Sequence, residues 1–255
     1  MNSTVKAVCT VLSLTLVVGY WAYLSVSLPT IHWGYEVKGL SLVLLVLIVI
    51  AAGLALLGQW GQLTPMRLLL IGLLAAFDGL FPGFFVRFEP PLYIDTLGAV
   101  IIAIVVGPNA GAATALIASV IALPFGTASL LFATGNAVVA WCAGLTANMG
   151  GFQRWWKAIV TGVLIGALSS LYFAPLQYVA ATSFEGFDPY TYSFVAQLRN
   201  NLFGAAVGSS VPSDILDKAV VFLAVYVIIS HAPVGLRRFF QVGRAKTLPP
   251  EQLAM

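Results

Sequence analysis

Asp214 and Lys218 stand four residues apart in Ser209-Ser210-Val211-Pro212-Ser213-Asp214-Ile215-Leu216-Asp217-Lys218, a polar insert in an apolar run. Four residues is one helical turn, so the pair shares a face and is expected to form an intrahelical ion pair. Asp217 points about 100° away from Lys218 and needs another partner, such as a polar group on a neighbouring segment. Two readings stand for this stretch. One is a capped helix start, with Ser213 as the cap behind Pro212 and Asp214 in the first turn; the other is a polar cluster that faces a ligand. Asp78, in Ala75-Ala76-Phe77-Asp78-Gly79, is likewise lodged among apolar residues. Either it faces a protein interior or a watery cavity, or it hydrogen-bonds nearby backbone where a helix frays before Pro82.

The segment Phe81 to Asp95 combines aromatics, three prolines and both signs of charge. Prolines limit its freedom, while Phe84, Phe88 and Tyr93 offer flat faces for stacking a ring. Arg87, Glu89 and Asp95 can orient polar substituents, unless Asp95 merely caps the helix that follows. Asn136, after Gly135, and the group Tyr172, Gln177 and Tyr178 fall toward the same end of their apolar runs; Trp141 sits deeper and packs. The substrate-contact set is therefore Phe84, Phe88, Glu89, Tyr93, Asn136, Tyr172, Tyr178, Asp214 and Asp78. Aromatic walls with a few charges suit a heteroaromatic ligand, and the acids lean toward one with a cationic or amino group.

Other chemistries find no footing. Cys9 and Cys142 lie in apolar runs and form no Cys-x-x-Cys pair, so neither a disulfide framework nor a metal site is indicated. His32 and His231 sit at run ends, which leaves no His-Glu-x-x-His motif and no base for Ser169-Ser170. No Gly-Lys dipeptide occurs, so the chain has no Walker A loop. Neither catalysis nor a cofactor is expected.

The elements that must position these residues are membrane helices. Of 255 residues, 60% are hydrophobic and only 8% charged, against about 25% charged in soluble domains. The net charge of +3 comes from basic residues scattered singly until the C-terminus, which excludes a nucleic-acid footprint. Apolar runs cover roughly residues 8–29, 39–58, 66–86, 95–106, 109–124, 127–148, 158–182 and 204–230. The fold class is an all-α polytopic membrane bundle of about eight spans. The first run lacks an Ala-x-Ala-like cleavage site and reads as an uncleaved span. The short fourth and fifth runs meet at Gly107-Pro108-Asn109-Ala110-Gly111, a tight turn that makes a hairpin. Residues 1–60 carry two N-terminal helices, 61–232 a six-helix core and 233–255 a basic tail.

An even number of spans puts both termini on one side. With the N-terminus cytoplasmic, the inner segments collect Lys6, Arg67, Arg154, Lys157, Arg237, Arg238, Arg244 and Lys246, against Lys38, Arg87 and Arg199 outside. The positive-inside rule favours that orientation in a cell membrane of bacterial type. The outer segment between the last two spans carries Phe184, Phe187, Tyr190, Tyr192 and Phe194, either an interfacial lid or an aromatic belt. Small residues four apart let helices approach closely: Gly72 and Ala76, Ala75 and Gly79, and Gly111, Ala115 and Ser119.

In this order of elements, residues 66–230 resemble the substrate-binding S component of energy-coupling factor (ECF) vitamin transporters. The likeness rests on six spans in sequence, the proline- and aromatic-rich outer loop after the first, and the short hairpin at Gly107-Pro108-x-x-Gly111. It rests too on the Gly135-Asn136 helix and a final helix holding Asp217-Lys218. The resemblance implies a substrate-capture subunit of an ABC-type importer. Such a subunit binds a vitamin or related small molecule from outside and delivers it through a transmembrane coupling subunit and two ATPases. It further implies that Gly72 and Ala76 contact the coupling subunit and that Phe81–Asp95 gates the pocket. The two N-terminal spans are additional to the family pattern. The alternative function is a membrane ligand sensor or assembly protein with the same core.

Overall fold

Long apolar runs leave the backbone no hydrogen-bonding partner in a bilayer but itself, so they close into helices. A computed structural model of the chain describes residues 1–27, 37–85, 94–125, 128–183 and 202–232. These form eight α-helices: α1 (Ser3–Ser27), α2 (Val37–Gly58), α3 (Pro65–Phe85), α4 (Leu97–Val105), α5 (Pro108–Ile121), α6 (Ala128–Asn148), α7 (Trp155–Ser183) and α8 (Leu202–His231). No strand occurs among the described residues. Stretches of α1, α3, α6 and α7 are long and apolar enough to cross a membrane. Their outward faces carry exposed leucines and valines such as Val11, Leu69, Leu73, Leu164 and Leu168, as expected where lipid is the solvent.

The centre is α4, whose residues from Gly98 to Val105 are all buried. Such a short helix can be apolar all round because other helices enclose it on every side. It turns into α5 at Gly107, whose φ of +149° is open to glycine but strained for other residues. Pro108 then occupies the first turn of α5, where its missing N–H costs nothing. The expected hairpin is present. Gln59, between α2 and α3, donates from Nε2 to the Val106 carbonyl at 3.2 Å and so pins the turn.

Helices α7 and α8 lie against one another with almost no side-chain spacer. A Cβ added at Gly162 would sit 2.6 Å from the Lys218 carbonyl oxygen, and one at Gly166 would sit 2.7 Å from Cα of Ile215. Gly162-Val163-Leu164-Ile165-Gly166 is thus a small-xxx-small seam that brings the α8 backbone close. Phe152 stacks on Phe222 at 5.3 Å near one end of this pair.

Helices α1 and α2 pack together, with Ser13 Oγ donating to the Ala51 carbonyl at 2.8 Å. They lie along α5 and α6, fastened at two levels. At one, Asn109 donates to Thr10 Oγ1 at 2.7 Å and accepts from Trp141 Nε1 at 3.2 Å. At the other, the Tyr20 hydroxyl donates to the Leu130 carbonyl at 2.7 Å and Trp21 Nε1 to the Tyr172 carbonyl at 2.8 Å.

Three local expectations are corrected. The helix holding Asp214 does not start at Ser213: α8 begins at Leu202 and continues through Pro212, a proline that membrane helices tolerate when neighbours compensate the lost bond. Nor does α3 fray before Pro82, since it runs on to Phe85. Lys218 also pairs with Asp95 and Asp217 instead of Asp214, because a flexible four-carbon stem lets its ammonium reach carboxylates off its own face.

Candidate functional site

Three charged side chains in the bundle are at most 4% exposed: Asp78 is 4% exposed, Asp217 2% and Lys218 3%. Charge so buried is costly unless it is paired and hydrogen-bonded. The Lys218 ammonium sits 3.0 Å from Asp95 Oδ1 and 2.8 Å from Asp217 Oδ2. The second oxygen of each carboxylate is also engaged. Asp217 Oδ1 accepts from the Ile94 backbone N–H at 2.9 Å, and Asp95 Oδ2 accepts from Asn136 Nδ2 at 3.1 Å. A continuous polar chain therefore joins the start of α4, the middle of α8 and α6.

Ile94 pays conformationally for its place in this chain. Its φ is +49°, a left-handed conformation that a β-branched residue adopts only when its surroundings impose it. The Asp217 carboxylate is such a constraint, holding the Ile94 N–H at the point where the chain enters α4.

Asp78 solves a second problem at the same end. The first N–H groups of any helix lack intrahelical acceptors, and Thr96, at the N-cap of α4, supplies no side-chain bond. Asp78 reaches across from α3 instead. Its Oδ1 accepts from Gly98 N–H and its Oδ2 from Ala99 N–H, each at 2.7 Å. The carboxylate caps a neighbouring helix rather than its own backbone, and the positive end of the α4 dipole favours it there.

Among the described residues six buried side-chain oxygens have no hydrogen-bond partner: Thr96 Oγ1, Asn136 Oδ1 and Asp214 Oδ2 beside this framework, and also Ser25 Oγ, Thr134 Oγ1 and Tyr172 Oη. Asp214 stands within electrostatic reach of Lys218, Asp95 and Asp217, and the Thr134 side chain lies beside the Tyr172 hydroxyl. Tyr172 is fixed from behind. Trp21 stacks on its ring at 5.0 Å, and Phe173 meets it edge-on at 6.0 Å. Unpaired buried polar groups are uncommon in folded proteins and call for an explanation; here they come from α1, α6, α7, α8 and the start of α4.

Of the sequence-derived candidates, the structure gathers Asp78, Asn136 and Asp214 about this framework, with Tyr172 on α7 among the unpaired groups. Phe88, Glu89 and Tyr93 lie outside the described residues, as do the side chains of Phe84 and Tyr178, the aromatic segment after α7 and the basic tail. Asp95 and the Asp217–Lys218 pair carry more of the framework than their place in the sequence suggested; Asp95 read equally well as a helix cap. Thr134, Tyr20 and Trp21 gave no sequence signal, since each looks like an ordinary residue of an apolar helix. No group of three or more His, Cys, Asp or Glu suited to a metal ion occurs among the described residues.

On the outer side of α3 the two small-residue pairs divide. Ala75 is fully buried, and Gly79 abuts α5 so closely that an added Cβ would meet the Ala118 carbonyl oxygen at 2.6 Å. Gly72 faces open space, with nothing within 4 Å of an added Cβ, between exposed Leu69 and Leu73.

No curated protein and no solved structure matches the chain. The family model for the ECF transporter, substrate-specific component, matches residues 66–229, which run from the first turn of α3 to the last turn of α8 and contain the whole polar framework. An all-helical membrane bundle, six helices carrying a buried polar site and a family match over that stretch together make this chain a member of the ECF transporter substrate-specific components, preceded by two helices of its own.

Proposed function

We propose that this protein captures a vitamin or a related small molecule at the outer face of the cell membrane and passes it to a transmembrane coupling subunit driven by ATPases. The observation that carries the reading is the pair of unpartnered buried oxygens on Asn136 and Asp214, drawn from two helices in an otherwise apolar bundle, with the Thr134 and Tyr172 hydroxyls beside one another on α6 and α7. Lys218, Asp95 and Asp217 hold the framework beside them, and Asp78 fixes the start of α4. In this reading Phe84, Phe88, Glu89 and Tyr93 close over the bound molecule from the segment that links α3 to α4. Gly72 and Ala76 form the docking strip for the coupling subunit, supported by the open space at Gly72. Both termini face the cytoplasm.

The test is to purify the native protein from its own membranes and identify small molecules released on denaturation. A single species recovered in stoichiometric amount, and absent from a Tyr172→Ala preparation, is the expected result. Recovery of lipid alone from both preparations would sink the capture reading.

A further inference from the structure

We propose that the captured molecule is an organic cation with N–H donors beside a flat ring, its charged end directed at Asp214 and Asn136 and its ring at Tyr172. The proposal rests on the capture reading above and adds the chemical class of the substrate.

Charge is the first ground. Four carboxylates gather about Lys218, the single ammonium with them among the described residues: Asp95 and Asp217 pair with it, Asp78 stands within electrostatic reach of Asp95 and Lys218, and Asp214 within reach of Asp95, Asp217 and Lys218. Three of the four are satisfied. Asp78 has two backbone N–H groups, Asp95 has Lys218 and Asn136, and Asp217 has Lys218 and the Ile94 N–H. Asp214 has a buried oxygen without a donor. An anionic ligand would enter a field already negative, whereas a cation would offset it.

Hydrogen-bond polarity is the second, independent ground. Asn136 is 9% exposed, its amide N–H is committed to Asp95, and its Oδ1 has no partner. That oxygen can only accept, and so can an ionised Asp214. Asn136 Oδ1 thus asks for a ligand that donates, and a cation beside Asp214 favours the ionised carboxylate that accepts as well; a carboxylate ligand can do neither. Thr134 and Tyr172 supply hydroxyls that adapt either way. The third ground is shape. Tyr172, backed by Trp21 at 5.0 Å, is a braced aromatic face suited to stacking and to cation–π attraction. The charge belongs to an organic group, because the described acids do not converge as metal ligands.

Three compounds with the same ring and differently charged heads separate the possibilities: benzamidinium, benzamide and benzoate. Full-length protein in lipid nanodiscs is titrated with each, following tryptophan fluorescence and thermal unfolding. Benzamidinium should bind about tenfold more tightly than benzamide, the scale of one charge-assisted hydrogen bond, and benzoate more weakly than either. Asp214→Asn should erase the advantage of benzamidinium over benzamide, and Tyr172→Leu should weaken both. The wild-type series decides the matter even if a variant fails to fold. Benzamide or benzoate binding as tightly as benzamidinium, with loss in Tyr172→Leu, would overturn the cation assignment and leave the capture site standing. No Tyr172-dependent response to any of the three would overturn both.

Discussion

Lys218 and Asp95 stand 123 residues apart in the chain and meet at 3.0 Å. Because Lys218 also bonds its neighbour Asp217, one ammonium holds the buried Asp217 and the half-buried Asp95, and the entry to α4 is tied to α8 through it.

Replacing Lys218 by Met should therefore strand the buried Asp217 charge beside the half-buried Asp95 and cost about 3–5 kcal/mol, the range for breaking one side of a buried pair. Thermal unfolding in detergent micelles reads this directly. The combination Lys218→Met, Asp95→Asn and Asp217→Asn should recover much of the loss, since no charge is then stranded. A single Lys218→Met protein as stable as the wild type would show that the framework contributes nothing.

Asp78→Ala should uncap α4. The amides of Gly98 and Ala99 lose both oxygens, at a cost of about 1–3 kcal/mol for the unsatisfied buried donors. Hydrogen exchange is the sharper measurement, with faster exchange confined to the first turn of α4. Asp78→Asn keeps one acceptor and should fall between. Unaltered protection at Gly98 in Asp78→Ala would refute the cap.

The two small residues at Gly72 and Gly79 should behave oppositely. Gly79→Leu drives a side chain into the α5 backbone and should prevent folding, whereas Gly72→Leu meets open space and should fold normally. If the outer strip of α3 docks a coupling subunit, Gly72→Leu and Ala76→Leu lose co-purification with that subunit while retaining substrate. Retained assembly with lost substrate would place the docking surface elsewhere.

Glu89→Ala and Tyr93→Ala probe the segment between α3 and α4. Each should weaken substrate binding by about 1 kcal/mol, one stacking or charged hydrogen-bond contact, with little change in ligand-free stability. Full affinity in both would remove that segment from the site, and matched losses of stability and affinity would favour an anchoring role.

Sidedness is open to a direct experiment. Single cysteines at Glu185 and Gln241 should react with impermeant reagents from opposite faces of the membrane. Labelling of both from one face would end the arrangement with cytoplasmic termini.

Hydropathy alone located the helices because burial in lipid demands the same property at every turn, and the Gly107-Pro108 hairpin was legible because glycine and proline act locally. The partners of the charges were not legible. The i, i+4 rule pointed Lys218 to Asp214, but that rule describes an isolated helix, and here Asp95 arrives from α4 to compete. Asp78 was likewise placed correctly as a buried acid, yet nothing within its own helix reveals that the exposed amides it serves belong to α4. Tyr172, Asn136 and Asp214 were recognisable as polar residues out of place, whereas Trp21, which braces Tyr172, is indistinguishable in sequence from any lipid-facing tryptophan.

The bonds from Tyr20 to Leu130 and from Trp21 to Tyr172 reach 110 and 151 residues forward along the chain. At a synthesis rate of about 5–20 residues per second, α1 would leave the ribosome roughly 5–30 seconds before its acceptors exist. Over that interval α1 and α2 hold one another through Ser13 and Ala51 and, once α5 is made, hold it through Thr10 and Asn109. The bonds that α1 makes to α6 and α7 can thus close only after those helices are made. A chain severed between Gln62 and Thr64 should accordingly reassemble from two separately translated pieces, which co-purification of the two pieces would read.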